Sequence, residues 1–208
     1  MSQDGIRVQV ERYYTEKVIA HGPTALGVDW NSPESQRLRF ARLMRIVDQP
    51  EPFTINDYGC GYGALVDYLQ DGAFSFQYCG FDISERMIAA ANASHPPSPQ
   101  INFVNHEREL RPADYTVASG IFNVRLETPI DEWQRYVLDT LRSLNDLSKK
   151  GFAFNVLTKY SDPEFMRSTL YYADPLFLFD YCKRTFSRLV SLLHDYPLYE
   201  FTLLVRRA

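Results

Sequence analysis

The stretch Thr54-Ile55-Asn56-Asp57-Tyr58-Gly59-Cys60-Gly61-Tyr62-Gly63-Ala64-Leu65 constrains the fold more than any other part of the chain. A short β-favouring run leads into three glycines at alternate positions, and an apolar run with Leu65, Val66, Tyr68 and Leu69 follows. That order reads as strand, tight turn and helix. Glycine carries no Cβ and takes positive φ, so the backbone can turn sharply and approach a ligand closely. A helix opening behind such a turn points free N–H groups at the ligand.

The glycines alone leave two ligands open. Gly59-x-Gly61-x-x-Ala64 fits the dinucleotide fingerprint, in which pyrophosphate sits on the helix N-terminus. Asp57 favours a different ligand, because a carboxylate beside the turn repels pyrophosphate but suits an ammonium group. A second strand is expected over Gln77–Asp82, with Asp82 at its carboxyl end about 25 residues past Asp57. Ligands of α/β sheets bind beyond the carboxyl ends of strands. A carboxylate there can accept both hydroxyls of a ribose, so Asp82 supports a nucleoside without choosing between cofactors.

The rest of the chain alternates in the same way. Helices are expected from about Ile6 to Ala20, and from the Ser32-Pro33 start to about Val47, where Gln49-Pro50-Glu51-Pro52 ends the second. Ser84 caps a helix over Glu85–Ser94, and Ile101–Val104 is a short third strand. Ala113-Asp114-Tyr115-Thr116-Val117-Ala118-Ser119-Gly120-Ile121-Phe122-Asn123 supplies a fourth strand and the turn beyond it. Thr128-Pro129-Ile130-Asp131 reads as a capping box opening a helix to about Leu147, with Trp133, Val137, Leu141 and Leu144 at helical spacing. Lys149-Lys150-Gly151 is expected to turn the chain into a fifth strand over 152–157. Asp162-Pro163 and Asp174-Pro175 are further helix starts, and apolar runs near 187–193 and 199–205 make a closing hairpin.

Asp-x-Gly-x-Gly-x-Gly at Asp57–Gly63, with Asp82, resembles the class I S-adenosylmethionine-dependent methyltransferases. The resemblance covers roughly residues 53–207 at the level of element order. It implies an α/β fold: a Rossmann-like, seven-stranded, mostly parallel sheet with helices on both faces, a C-terminal antiparallel hairpin and an N-terminal helical lid. One domain is expected over 1–208, with residues 1–52 as a helical cap and 53–208 as the α/β core. The implied cofactor is S-adenosylmethionine, held by Asp57, Gly59, Cys60, Gly61, Gly63, Asp82, Ile83 and Ser119, with Glu107 near the adenine amino group. Asn105-His106-Glu107 departs from the family's more usual Gly-Asp at that place.

The implied activity is methyl transfer to a small-molecule acceptor, at a hydroxyl oxygen. The turn at Ser119–Asn123 lacks the Asn/Asp-Pro-Pro-Tyr sequence of base-amino methylation. A non-catalytic cofactor-binding scaffold and a nicotinamide-dependent oxidoreductase are the alternatives. On the acceptor side, Asn123, Arg125, Tyr160, Tyr172 and Tyr196 are expected neighbours. His194 is the candidate general base, because the connection His194-Asp195-Tyr196-Pro197 falls at the ligand edge if the sixth strand runs parallel to the core.

Composition sets the outer bounds. A net charge of −4 argues against a chain that holds polyanionic nucleic acid by its overall field. Cys60, Cys79 and Cys182 have no Cys-x-x-Cys spacing, and His21, His95, His106 and His194 are scattered, so neither a disulfide framework nor a metal site is expected. The chain start lacks the charged and apolar regions of a signal peptide, and no apolar run reaches membrane-spanning length; a cytoplasmic protein is expected.

Overall fold

The computed structural model describes residues 3–30, 32–48 and 51–207. Two helices, α1 (Gln3–His21) and α2 (Pro33–Leu43), precede the first strand. The core then alternates: β1 (Phe53–Tyr58), α3 (Ala64–Asp71), β2 (Phe76–Phe81), α4 (Glu85–Ser94), β3 (Ile101–Val104), β4 (Ala113–Ala118), α5 (Ile130–Asp146) and β5 (Ser148–Leu157). It closes with α6 (Pro175–Thr185), β6 (Leu189–Leu193) and β7 (Glu200–Arg206).

The seven strands form one sheet in the order β3-β2-β1-β4-β5-β7-β6. β1 to β5 pair in parallel, whereas β7 is antiparallel to both β5 and β6. β6 therefore runs parallel to the core, and its carboxyl end lies on the same edge as those of β1, β2 and β4. The order reverses direction between β1 and β4, and in open α/β sheets that switch point is where ligands bind.

Alternation along the strands gives the sheet two buried faces. Tyr58, Phe81, Phe152, Phe154, Phe201 and Leu203 pack with Trp133, Val137 and Leu141 of α5 and with Leu178 and Cys182 of α6. On the opposite face, Ile55, Tyr78, Val117, Ala153 and Leu204 meet Phe40 and Leu43 of α2 and Leu65, Val66 and Leu69 of α3. Trp133 is fully buried, and its Nε1–H donates to the carbonyl of Phe122 at 2.9 Å. That bond ties α5 to the turn beyond β4.

Four local expectations need correction. Thr128 does not cap α5: the N-cap is Pro129, no side chain caps it, and the buried Thr128 Oγ1 has no hydrogen-bond partner. Arg125 instead holds the Thr128 carbonyl at 2.6 Å, which fixes the chain in a turn before the helix. Lys149-Lys150-Gly151 is not a turn, because β5 begins at Ser148 and Gly151 pairs with Tyr115 and Arg206. A Cβ on Gly151 would lie 2.5 Å from the Val205 carbonyl, so this glycine serves close strand approach. Asp162-Pro163 starts a single 3-10 turn (Pro163–Phe165), since the chain is extended again at Met166. The second helix tightens to a 3-10 turn at Met44–Ile46. The expected stop at Gln49-Pro50 lies outside the described residues.

Trp133→Ala should cost about 3–5 kcal/mol by urea unfolding, since it empties the largest buried site and frees the Phe122 carbonyl. A loss under 1 kcal/mol would contradict the role given to this residue.

Candidate functional site

At the carboxyl edge of β1, β2 and β4 a cavity of about 100 Å³ is enclosed between the sheet and the N-terminal segment. The glycine turn forms its floor. Gly59, Gly61 and Gly63 have φ of 82°, 55° and 87°, a region closed to most L-residues. A Cβ on Gly59 would sit 2.2 Å from Ile121 Cγ2, so the turn packs directly on the chain beyond β4. The Gly59 and Cys60 N–H groups donate to the Phe81 carbonyl, and the Gly61 N–H donates to Asp82 Oδ2 at 2.9 Å. These donors are thus spent on fixing the turn against β2.

The two carboxylates stand side by side on adjacent strand ends. Asp57 is 3% exposed, and its Oδ2 accepts from the Tyr78 hydroxyl at 2.8 Å. Asp82 is 9% exposed and accepts from Gly61 N and from Ser84 N, each at 2.9 Å. Among the described residues neither has an ion-pair partner. Burial pushes the Asp57 carboxyl up to about 7, against the stabilising Tyr78 bond, and the nearby Asp82 pushes it further the same way. Burial likewise raises Asp82 to about 6, opposed by its two backbone bonds. A cavity built this way favours a cation at Asp57 and hydroxyl donors at Asp82, whose oxygens keep unused lone pairs.

The N-terminal segment supplies the roof. Arg7, Val10 and Tyr14 of α1, Val28 and Trp30 of the connection, and Gln36 and Phe40 of α2 all line the cavity. Two contacts fasten α1 there: Arg7 Nη2 to Glu107 Oε2 at 2.6 Å, and the hydroxyls of Thr15 and Ser84 at 2.7 Å. Tyr62 reaches across to Gln36 Oε1 at 2.9 Å.

Of the residues expected to hold a cofactor, Asp57, Gly59, Cys60, Gly61, Asp82, Ile83 and Ser119 line the cavity. Gly63 does not; it is the N-cap of α3, and a Cβ there would press on His95 and Phe103. Glu107 does not line it either. Its carboxylate is paired with Arg7, and it borders an adjoining groove that shares Arg7, Phe81 and Ile83 with the cavity.

The acceptor-side expectations fare differently. Buried Asn123 is used by the fold: its Oδ1 accepts from Leu157 N at 3.1 Å, and its carbonyl accepts from Tyr171 N. The Arg125 guanidinium donates to the carbonyls of Leu126, Thr128 and Ser168, which clasps the loop after β4 to the loop after β5. The Tyr172 hydroxyl accepts from Arg167 N, and Tyr196 is buried with its hydroxyl on Thr202 Oγ1 at 2.9 Å. His194 is exposed, with its ring tilted against Tyr160 and edge-on to Phe201 at ring separations of 6.1 and 5.9 Å. None of these six lines the cavity. Sequence reading missed Tyr14, Phe40, Tyr62 and Tyr136, which do. Tyr14 was legible as part of the apolar side of α1; nothing in the spacing of Tyr136 distinguished it from core.

A family model described as a methyltransferase domain matches residues 55–146. A curated Mycobacterium tuberculosis protein, provisionally named a methyltransferase, is 54% identical over 165 residues, covering 79% of this chain and 99% of its own length. The chain belongs to the methyltransferase family. Solved structures of low identity share its fold. Magnesium protoporphyrin IX methyltransferase of Synechocystis PCC 6803, crystallised with S-adenosylmethionine, superposes with a TM-score of 0.68 at 14% identity, over 100% of this chain and 98% of the other. A DhpI–SAM–HEP complex gives 0.65 at 15% identity over 98% of each chain. The seven-stranded, mostly parallel sheet with its closing antiparallel hairpin is the architecture that the sequence resemblance implied.

Two outcomes check the site. Asn123→Ala should lower stability by about 1–3 kcal/mol in urea, because it orphans the Leu157 N–H, and should leave cofactor affinity within a few-fold. Asp57 carries a raised folded-state pKa, so its contribution to stability is present below the unfolded carboxylate pKa and is lost as pH rises toward 7. Asp57→Asn removes that loss. The stability difference between variant and wild type should therefore move in the variant's favour from pH 5 to pH 8, as read by urea unfolding at each pH. A pH-independent difference would contradict the assigned ionisation.

Proposed function

We propose that this chain is an enzyme that transfers a methyl group from S-adenosylmethionine to a small-molecule acceptor, at an oxygen. The carrying observation is the pair of buried carboxylates, Asp57 and Asp82, without cationic partners in a cavity floored by a glycine turn. The residues fit the cofactor: Asp57 offers a desolvated carboxylate to its ammonium end, Asp82 offers acceptor lone pairs to ribose hydroxyls, and Tyr14, Phe81 and Met87 give an apolar lining. S-adenosylmethionine supplies a methyl group on a cationic sulfur that becomes neutral as the methyl leaves.

The chain's part in that reaction is alignment and exclusion of water. Trp30 and Phe40 close the cavity from above, and the Ser119-Gly120 turn closes it from the side. Holding donor and acceptor at near-attack distance supplies much of the acceleration such a transfer needs. A small acceptor accords with the magnesium protoporphyrin IX named for one fold neighbour and with the net charge of −4. The domain would work as one unit, with residues 1–52 as the cap and 53–208 as the catalytic core. His194 is not given the base role here, because its exposed ring stands outside the cavity.

S-adenosylhomocysteine should raise the melting temperature, and NAD should not. Asp82→Ala should weaken S-adenosylhomocysteine binding by about 1.5–3 kcal/mol in calorimetry. Unchanged affinity would remove Asp82 from the site, and a shift with NAD alone would replace the proposal with a dehydrogenase. Among the described residues no group of three His, Cys, Asp or Glu side chains could hold a metal ion. Label transfer from methyl-tritiated S-adenosylmethionine to an acceptor extract should accordingly survive EDTA, and loss restored by magnesium would contradict this.

A further inference from the structure

Beneath α2, away from the carboxylate pair, lies a second buried charged pair that methyl transfer itself does not call for. Arg39 is 6% exposed and Glu200 is fully buried, with Nε and Oε1 2.5 Å apart. Arg39 Nε and Nη1 and both Glu200 oxygens have no hydrogen-bond partner among the described residues. Taking two charges out of water with so little satisfaction is expensive, and a pair of this kind is weak evidence for plain stability.

What the pair touches gives it a role. The Arg39 guanidinium lies 3.9 Å from the ring centroid of Trp30. The Trp30 ring in turn rests on Gly120, where a Cβ would come within 2.1 Å of Cη2 and φ is 72°. Gly120 and Trp30 both line the cofactor cavity. Glu200 begins β7 opposite Leu157, at the ligand edge of the sheet. One line of contact therefore runs from the fixed sheet through Arg39 to the roof of the cavity.

We propose that Arg39 and Glu200 are positioning residues whose ion pair clasps Trp30 onto Gly120, so that the cavity is closed while the pair holds and opens when it breaks. This rests on the reading of the cavity as the cofactor site. Removing one charge of a buried pair leaves the other uncompensated, which drives it back toward water. Arg39 leaving its place takes away the face on which Trp30 stacks. The charged and titratable groups around Glu200 are Arg39 and Arg42 from α2 and Tyr196 from the β6–β7 connection. The arginines keep their charge at any working pH, so Glu200 is the member that can lose it. Burial raises its carboxyl to about 7, opposed by Arg39. Protonation below that value discharges the pair, so the clasp loosens as pH falls and tightens as pH rises.

Acrylamide quenching of Trp30 in the full chain tests the clasp directly. The second tryptophan, Trp133, is fully buried and contributes a shielded background. Wild type should be weakly quenched at pH 8 and several-fold more at pH 6, and Glu200→Gln should be strongly quenched at both. With S-adenosylhomocysteine as probe, Glu200→Gln should release it at least about tenfold faster at pH 8, a small part of what a broken buried pair costs. Should that variant fail to fold, Arg39→Met with Glu200→Leu fills the same space without charge and should show quenching that no longer depends on pH. A pH response of Trp30 that persists in these variants, or release within twofold of wild type, would overturn the proposal. Wild type that binds no S-adenosylhomocysteine would instead refute the cofactor reading, and the quenching comparison would still judge the clasp.

Discussion

Two carboxylates held out of water, side by side at the ends of β1 and β2, are the constraint on which the rest of the site depends. A buried carboxylate without a cation is unfavourable, and both groups respond by holding their protons to unusually high pH. The fold tolerates this by spending donors on them: the Gly61 and Ser84 backbone N–H groups on Asp82, and the Tyr78 hydroxyl on Asp57. The bond from Gly61 also sets the glycine turn against the end of β2. Asp82 thus holds the glycine turn through Gly61 N while it faces the cavity.

The roof follows a different logic. α1 and α2 meet the core through few but specific polar contacts, Arg7 with Glu107, Thr15 with Ser84 and Arg39 with Glu200. The apolar part of that contact is carried by Phe40, Leu43 and Met44 against the sheet. Polar fastenings can be broken singly, whereas a packed core cannot.

Much of this was legible in the residues, and the exceptions share a cause. The strand-turn-helix unit at 54–65 and the acid at Asp82 declare themselves because glycine and carboxylate at fixed local spacing have few other uses. The closing antiparallel hairpin was legible from two apolar runs with a short polar connection, whereas the direction of β6 is set by its pairing with β7. The structural bonds of Asn123 and Arg125 were not legible, because their partners, Leu157 at the end of β5 and Ser168 in the loop beyond it, are distant in sequence. Arg39 and Glu200 were invisible for the same reason, being 161 residues apart and on elements that only folding brings together (200 − 39). Thr128 shows the converse error: a local capping pattern was present, but Arg125 holds the chain in another turn.

The central claim is that Asp57 and Asp82 are kept partly protonated by burial until a cation arrives. Titrating the protein with S-adenosylhomocysteine at pH 6.5, in two buffers of different ionisation enthalpy, counts the protons exchanged on binding. Ionisation of the carboxylates against the ligand's ammonium group should release protons to the buffer, and Asp57→Asn should abolish most of that release. Binding of equal enthalpy in both buffers, with no proton released, would contradict the account.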